Sequence, residues 1–264
     1  ISDPDNLREL SYNDRRYPEG TGLSPSAIQV RDNYAYVSDL NFPFRVYDIS
    51  DPSQPKVASE VYDFAASDGA FDLELVGNTV YLTGWGLHDA FYPGEGLWLI
   101  DVTDPTNAEA VKFVDIPNTN SRMDAEGNFL YVLDGSQHTD QPDTLSLRIF
   151  DLHDERNPVE LAVMPVGDQN TLSYEDILVK DQTLYISSSQ MGLDILDVRD
   201  PAQPSQLSNI PSVIISGFAL EGTTLFMNDL FAYDISDPKN PLMKGFTLAY
   251  TGAQAIAVVG DMVY

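Results

Sequence analysis

Cysteine is absent from the 264 residues, and only three histidines occur. The missing thiols exclude thiolate catalysis, disulfides, Fe–S clusters and Cys-type zinc sites. Basic residues are also few: 14 Lys and Arg stand against 41 Asp and Glu, a formal net charge of −27. Such a chain repels a phosphate backbone and lacks the attraction that dominates nucleic-acid affinity, so nucleic acid is excluded as a partner. The acids are spread along the chain and form no tail, which reads as a solubilising surface. No stretch approaches the roughly 20 apolar residues of a membrane helix, and no membrane insertion by this segment is expected. Helix-period patterning is missing throughout, as are a G-x-S-x-G elbow, a P-loop and a dinucleotide fingerprint in suitable context.

What is present is one phrase, repeated. "FRVYDISDPSQP" begins at Phe44, "LWLIDVTDPTNA" at Leu97, "LRIFDLHDERNP" at Leu147, "LDILDVRDPAQP" at Leu193 and "LFAYDISDPKNP" at Leu230, and the chain opens with "ISDPDN". The Asp of the turn falls at Asp3, Asp51, Asp104, Asp154, Asp200 and Asp237, a mean spacing of about 47 residues, within the roughly 40 to 50 of propeller blades. A second marker precedes each phrase, as in "RDNYAYV" at Arg31 and "VGNTVYL" at Val76. Gly, Asn and Asp between two apolar runs are hairpin chemistry because they tolerate φ > 0. Each unit therefore reads as four short strands, A to D, with strand C apolar at almost every position and buried on both faces.

The Asp-Pro step is explained by turn physics alone. An Asp accepting backbone N–H bonds, followed by Pro with its φ already set, starts a β-turn, and the second Pro opens strand D at a blade edge. Asp48, Asp101, Asp151, Asp197 and Asp234 close strand C and are read as turn-fixing acceptors, together with Asp51, Asp104, Asp154, Asp200 and Asp237 within the turns. Glu155 in place of the turn Pro and Ala108 in place of the second Pro question the local turn type in their units.

The phrases "LWLID", "LRIFD", "LDILD" and "FRVYD" resemble the LVIVD repeat of bacterial and archaeal proteins. That resemblance implies an all-β propeller of four-stranded antiparallel blades, commonly part of an exported or cell-surface protein, extracellular or periplasmic. It implies no catalytic residues. A single domain over 1–264 is expected, with repeats at about 26–64, 70–117, 121–166, 174–211 and 214–248 and partial blades at 1–13 and 251–264, about six in the ring. The chain starts at Ile1 in mid-phrase and stops at Tyr264 inside a repeat, so a longer parent is expected.

Function is sought where the repeats differ. The B to C connections are long in two units, Thr83 to Gly96 and Asp134 to Thr144, on the face opposite the Asp-Pro turns. The first brings Trp85, His88 and Tyr92 together, and the second carries His138. Aromatics beside carboxylates and imidazoles suit a protein, peptide or carbohydrate ligand or a metal, or else these are decorated loops whose aromatics pack over the blade tops. Aligned on the A to B turn, the units also carry Asp72, Arg122 and Asp176 in a row otherwise held by Ala27, Gly217 and Ala255. These form either an inter-blade salt-bridge chain or an anion grip at the channel mouth. No catalytic or metal-binding residue is identified and no cofactor is implied, since no spacing matches a zinc or EF-hand motif that would support a cation such as calcium. A recognition or scaffolding platform is the first reading, with a hydrolase or lyase at the same face and a structural spacer as alternatives. On either non-catalytic reading, Asp51→Ala and Asp237→Ala should lower the melting temperature by roughly 1–6 °C and leave ligand binding intact; lost binding at an unchanged melting temperature would reverse the assignment.

Overall fold

The computed structural model describes residues 24–40, 44–61, 70–84, 96–116, 122–134, 146–166, 174–188, 192–211, 217–227 and 231–246, with 256, 258–259 and 262–263. The fold is all-β, built from four-stranded antiparallel sheets of the β-propeller type, and no helix occurs among the described residues. Among the described residues no helix is long and apolar enough to cross a membrane. Two compact units divide the chain, Ile1–Thr119 and Asn120–Tyr264. The first holds blade 1, β1 (Pro25–Arg31), β2 (Tyr34–Asp39), β3 (Phe44–Asp48) and β4 (Lys56–Val61), and blade 2, β5 (Ala70–Val76), β6 (Thr79–Gly84), β7 (Gly96–Asp101) and β8 (Glu109–Asp115). The second holds blade 3, β9 (Arg122–Glu126), β10 (Phe129–Asp134), β11 (Ser146–Asp151) and β12 (Val159–Pro165), and blade 4, β13 (Tyr174–Lys180), β14 (Thr183–Ser188), β15 (Gly192–Asp197) and β16 (Ser205–Ile210). It also holds blade 5, β17 (Phe218–Glu221), β18 (Thr224–Met227), β19 (Phe231–Asp234) and β20 (Leu242–Phe246), and a two-stranded ribbon, β21 (Val258–Val259) with β22 (Met262–Val263). Residues 1–13, assigned above to a partial blade, lie outside the described residues.

Each hairpin turn between strands A and B has its first residue at positive φ: Asp32 at 55°, Gly77 at 54°, Gly127 at 61°, Asp181 at 51° and Gly222 at 58°. Only residues that tolerate the left-handed region fit there. The middle strands are buried on both faces, β6 at every position and β7 at every position but Asp101. Burial on both faces packs neighbouring blades together. Phe44, Val46 and Tyr36 of blade 1 share a core with Val80, Leu82, Trp98 and Ile100 of blade 2. Leu147 and Ile149 of blade 3 pack with Ile186 and Leu196 of blade 4, and Leu193 and Ile195 of blade 4 pack with Phe218 and Leu225 of blade 5. Within each unit, residues one and three of a strand C phrase thus face the following blade, and residues two and four the preceding one.

Carboxylates organise the turns. Asp48, Asp101, Asp151, Asp197 and Asp234 each accept, through Oδ1, the backbone N–H two residues ahead at 2.8–3.0 Å. Asp51, Asp104, Asp154, Asp200 and Asp237 repeat the arrangement at 2.9–3.1 Å. Their carbonyls also accept the N–H three residues on, closing a β-turn. The turn is the same at Asp104, where Ala108 replaces the second Pro, and at Asp154, where Glu155 replaces the first. Carboxylate capping holds both turns in the absence of the ring. The next residue after the first Asp of each pair plugs the sheet end, its N–H bonded to the A to B turn; Val102, Leu152, Val198 and Ile235 are buried there.

Polar ties join adjacent blades within each unit. Ser59 Oγ donates to the Pro105 carbonyl at 2.8 Å, and Ser208 Oγ, at the same register position, to the Pro238 carbonyl at 2.6 Å. Arg31 donates to the Gly77 carbonyl, and Glu126 accepts the N–H groups of Asp181 and Gln182 at 2.7 and 2.9 Å. Every strand C to strand D pairing contains a register shift at one place, between residues three and four of the phrase.

Residue two of the phrase differs from blade to blade, and its strand D partner differs with it. Blade 1 pairs Arg45 with Glu60 at 2.9 Å, with Arg45 only 2% exposed. Blade 3 pairs Arg148 with Glu160 at 2.7 Å. Blade 2 packs Trp98 on Phe113, ring centroids 4.6 Å apart, in space that Gly96 leaves clear, since an added Cβ there would run into the Phe113 ring. Blade 5 stacks Phe231 on Phe246 at 5.8 Å. Blade 4 sets Asp194 beside Asn209 and Gln206. Breaking a buried ion pair costs more than replacing it with packed rings. Glu60→Ala should therefore destabilise the chain by about 3 kcal/mol in denaturant unfolding. The double variant Arg45→Trp/Glu60→Phe, which imports the blade 2 pair, should lose less than that.

Candidate functional site

The charged row sits on the first strands of its blades, at the end away from the A to B turns. Asp72 follows a register shift in β5, lies opposite Thr83, and accepts the Leu73 N–H at 2.9 Å. Arg122 is the exposed first residue of β9, opposite Leu133. Asp176 follows an equivalent register shift in β13, opposite Ser187, and accepts the Ile177 N–H at 3.0 Å. Burial pushes the Asp176 carboxyl up; the Ile177 N–H, the Arg122 charge and the Phe218 N–H act against that rise. Arg122 thus acts on Asp176 within the second unit, and Asp72 belongs to the first. Trp85, His88, Tyr92 and His138 lie outside the described residues.

Asp124, two residues beyond Arg122, is the most perturbed carboxyl of the inner strands. It rises from 3.8 to about 6, first through burial and then through Asp176 and Glu126, against hydrogen bonds from Val179 and Ala125. A carboxyl at that value could serve as a general acid or base. Its oxygens are occupied: Oδ1 accepts the Ala125 N–H at 2.9 Å and Oδ2 the Val179 N–H of the next blade at 2.6 Å. In blade 1 the equivalent Gln29 accepts the Leu75 N–H at 2.9 Å. The position therefore joins blades, and the acid holds them as the amide does. Burial together with Glu126 and Asp124 pushes the Tyr131 hydroxyl up to about 12. Among the described residues no group of three or more His, Asp or Glu is arranged to hold a metal ion.

The sign of the pH effect follows from the raised Asp124. The folded chain takes up this proton before an unfolded chain does, so the contribution is fully present below about 4 and is lost as pH rises through about 6. Asp176 acts in the same direction. Asp197, held down to about 2 chiefly by hydrogen bonds from Arg199, acts oppositely but only below this window. Between pH 7 and 4.5 the wild type should gain thermal stability relative to Asp124→Asn, and parallel melting-temperature profiles would contradict the assignment.

Known proteins locate the chain. The LVIVD repeat family model matches residues 24–63, 173–210 and 225–248. No curated protein matches it in sequence. Among solved structures it resembles a candidate 6-phosphogluconolactonase from Bacteroides uniformis, at 12% identity and TM-score 0.63, over 83% of this chain and 69% of that one. It resembles a hypothetical selenium-binding protein from Sulfolobus tokodaii at 13% identity and TM-score 0.58, over 82% of this chain and 59% of that one. The computationally designed Ika8 protein aligns at 12% identity and TM-score 0.54, over 92% of this chain and 83% of its own. Likeness at these identities carries the fold alone. With repeat matches in blades 1, 4 and 5 and the same strand C phrase in the blades between, the chain carries LVIVD repeats on a β-propeller fold.

Proposed function

We propose that this chain is a non-catalytic recognition and scaffolding module of an exported or cell-surface protein, binding a protein, peptide or carbohydrate ligand at the face opposite the Asp-Pro turns. The observation that carries the reading is the pairing of Arg122 with Asp176 in the second unit. Arg122 is exposed on the first residue of its strand, and its charge acts on a half-buried Asp176 whose neighbours are backbone N–H groups. A fixed cation beside a half-buried carboxyl, in a chain of net charge −27, is a place where an anionic or carbonyl group of a ligand finds an opposite charge that can donate charge-assisted hydrogen bonds. The repeated aspartates offer no rival site, since each has an oxygen committed to a turn N–H.

One observation favours a hydrolase instead: the fold is shared with a candidate 6-phosphogluconolactonase. Against it, both oxygens of the most perturbed inner carboxyl are bonded to backbone. The two readings separate in one set of measurements. Arrays of immobilised glycans and acidic peptides should retain the wild type and Asp51→Ala alike, and Arg122→Ala should lose roughly tenfold in affinity. Turnover of 6-phosphogluconolactone by the wild type, or retention unchanged in Arg122→Ala, would overturn the proposal.

A further inference from the structure

Within each unit strand C residue two faces the preceding blade, and in four blades its slot is filled from within the chain. Blades 2 and 5 fill it with stacked rings, and blades 1 and 3 with a guanidinium–carboxylate pair. Blade 4 does neither. Its residue is Asp194, 9% exposed, and a partly open cavity of about 390 Å³ lies between β12 and strands β15 and β16. The walls are Met164, Val166 and Leu196, and the polar floor is Asp194, Gln206 and Asn209. Gln206 Nε2 and Asn209 Nδ2 both donate to the same oxygen, Asp194 Oδ1, at 2.8 and 2.9 Å. Oδ2 has no partner among the described residues. A buried carboxylate with one oxygen unpaired is costly to leave so, and a cation recovers that cost most fully.

We infer that the blade 4 slot binds a guanidinium group supplied from outside the chain, completing the pair that blades 1 and 3 make internally. The precedent is local: at the same strand C position, Arg45 and Arg148 meet Glu60 and Glu160 at 2.9 and 2.7 Å. A planar, weakly hydrated cation suits apolar walls with one carboxylate at the end better than an ammonium does. A divalent metal is a poor fit, because one carboxylate and two amides fall short of the six or more oxygens that calcium takes. The slot lies on the flank between blades 3 and 4 and uses none of the inner charged row, so it goes beyond the function proposed above and fails or succeeds separately from it.

Titration calorimetry tests the slot with N-acetyl-L-arginine methylamide and its uncharged citrulline counterpart, followed by the peptides Gly-Ser-Arg-Ser-Gly and Gly-Ser-citrulline-Ser-Gly. The arginine probes should bind saturably, and the citrulline probes roughly tenfold or more weakly. Asp194→Asn, which keeps the shape and removes the charge, should lower arginine-probe affinity by roughly tenfold or more. Asp200→Asn, in an exposed turn, should leave it unchanged and so exclude general attraction to an acidic surface. Should Asp194→Asn fail to fold, Met164→Trp fills the slot from its wall and should abolish binding. Tighter binding of the peptide than of the single residue points to an arginine of a partner protein, and equal binding to a free guanidinium compound. Absence of saturable binding, or equal binding by the citrulline probes or by a folded Asp194→Asn, overturns the inference.

Discussion

A carboxylate accepting the N–H two residues ahead of it closes strand C and shapes the following turn in every blade, and the remaining structure depends on that contact. Strand C is buried over at least half of its length in blades 1 to 4, so the chain must leave it abruptly without stranding backbone groups. The first Asp caps that exit, the next apolar residue plugs the sheet end, and the second Asp sets the β-turn into strand D. Once the turn is set, the carbonyl of its Pro faces the neighbouring blade, where Ser59 and Ser208 find theirs. Local turn chemistry is thereby converted into blade-to-blade attachment.

This account also bears on the acidity of the chain. Carboxylates that look from composition like surplus surface charge are in part structural parts: ten hold turns, Glu126 bonds the A to B turn of the next blade, and Asp124 bonds its strand A. What is left for recognition is narrower than a net charge of −27 suggests. The places proposed for recognition are Arg122 with Asp176 and the flank slot around Asp194, each marked by a departure from what the other blades do at the same position.

The fold was legible because its determinants are local. Asp, Pro, Gly and Asn at fixed offsets specify turns whatever surrounds them, and apolar runs of four to six residues between such turns leave little besides short strands. The matching strand A positions of Asp72, Arg122 and Asp176 were legible by aligning repeats, but the bonding of Asp124 across to Val179 was not, because it depends on how two blades pack. Asp194 was overlooked for a different reason. "LDILD" passes as one more strand C phrase, and the partners of its second residue lie 12 and 15 residues away, brought opposite by a register shift that leaves no mark in the sequence. The signal that could have found it was a charged residue, unmatched by an opposite charge in strand D, where the other phrases carry Arg, Trp or Phe.

The central claim is that the Asp-Pro turns are held by their carboxylates, and amide hydrogen exchange reads this directly. The N–H groups of Ser53, Thr106, Arg156, Ala202 and Lys239 sit in exposed turns yet bond to aspartate oxygens. At neutral pH, measured residue by residue by NMR, all five should exchange well below the rate of an unfolded chain. Exchange at the unfolded-chain rate in these five turns would contradict the account.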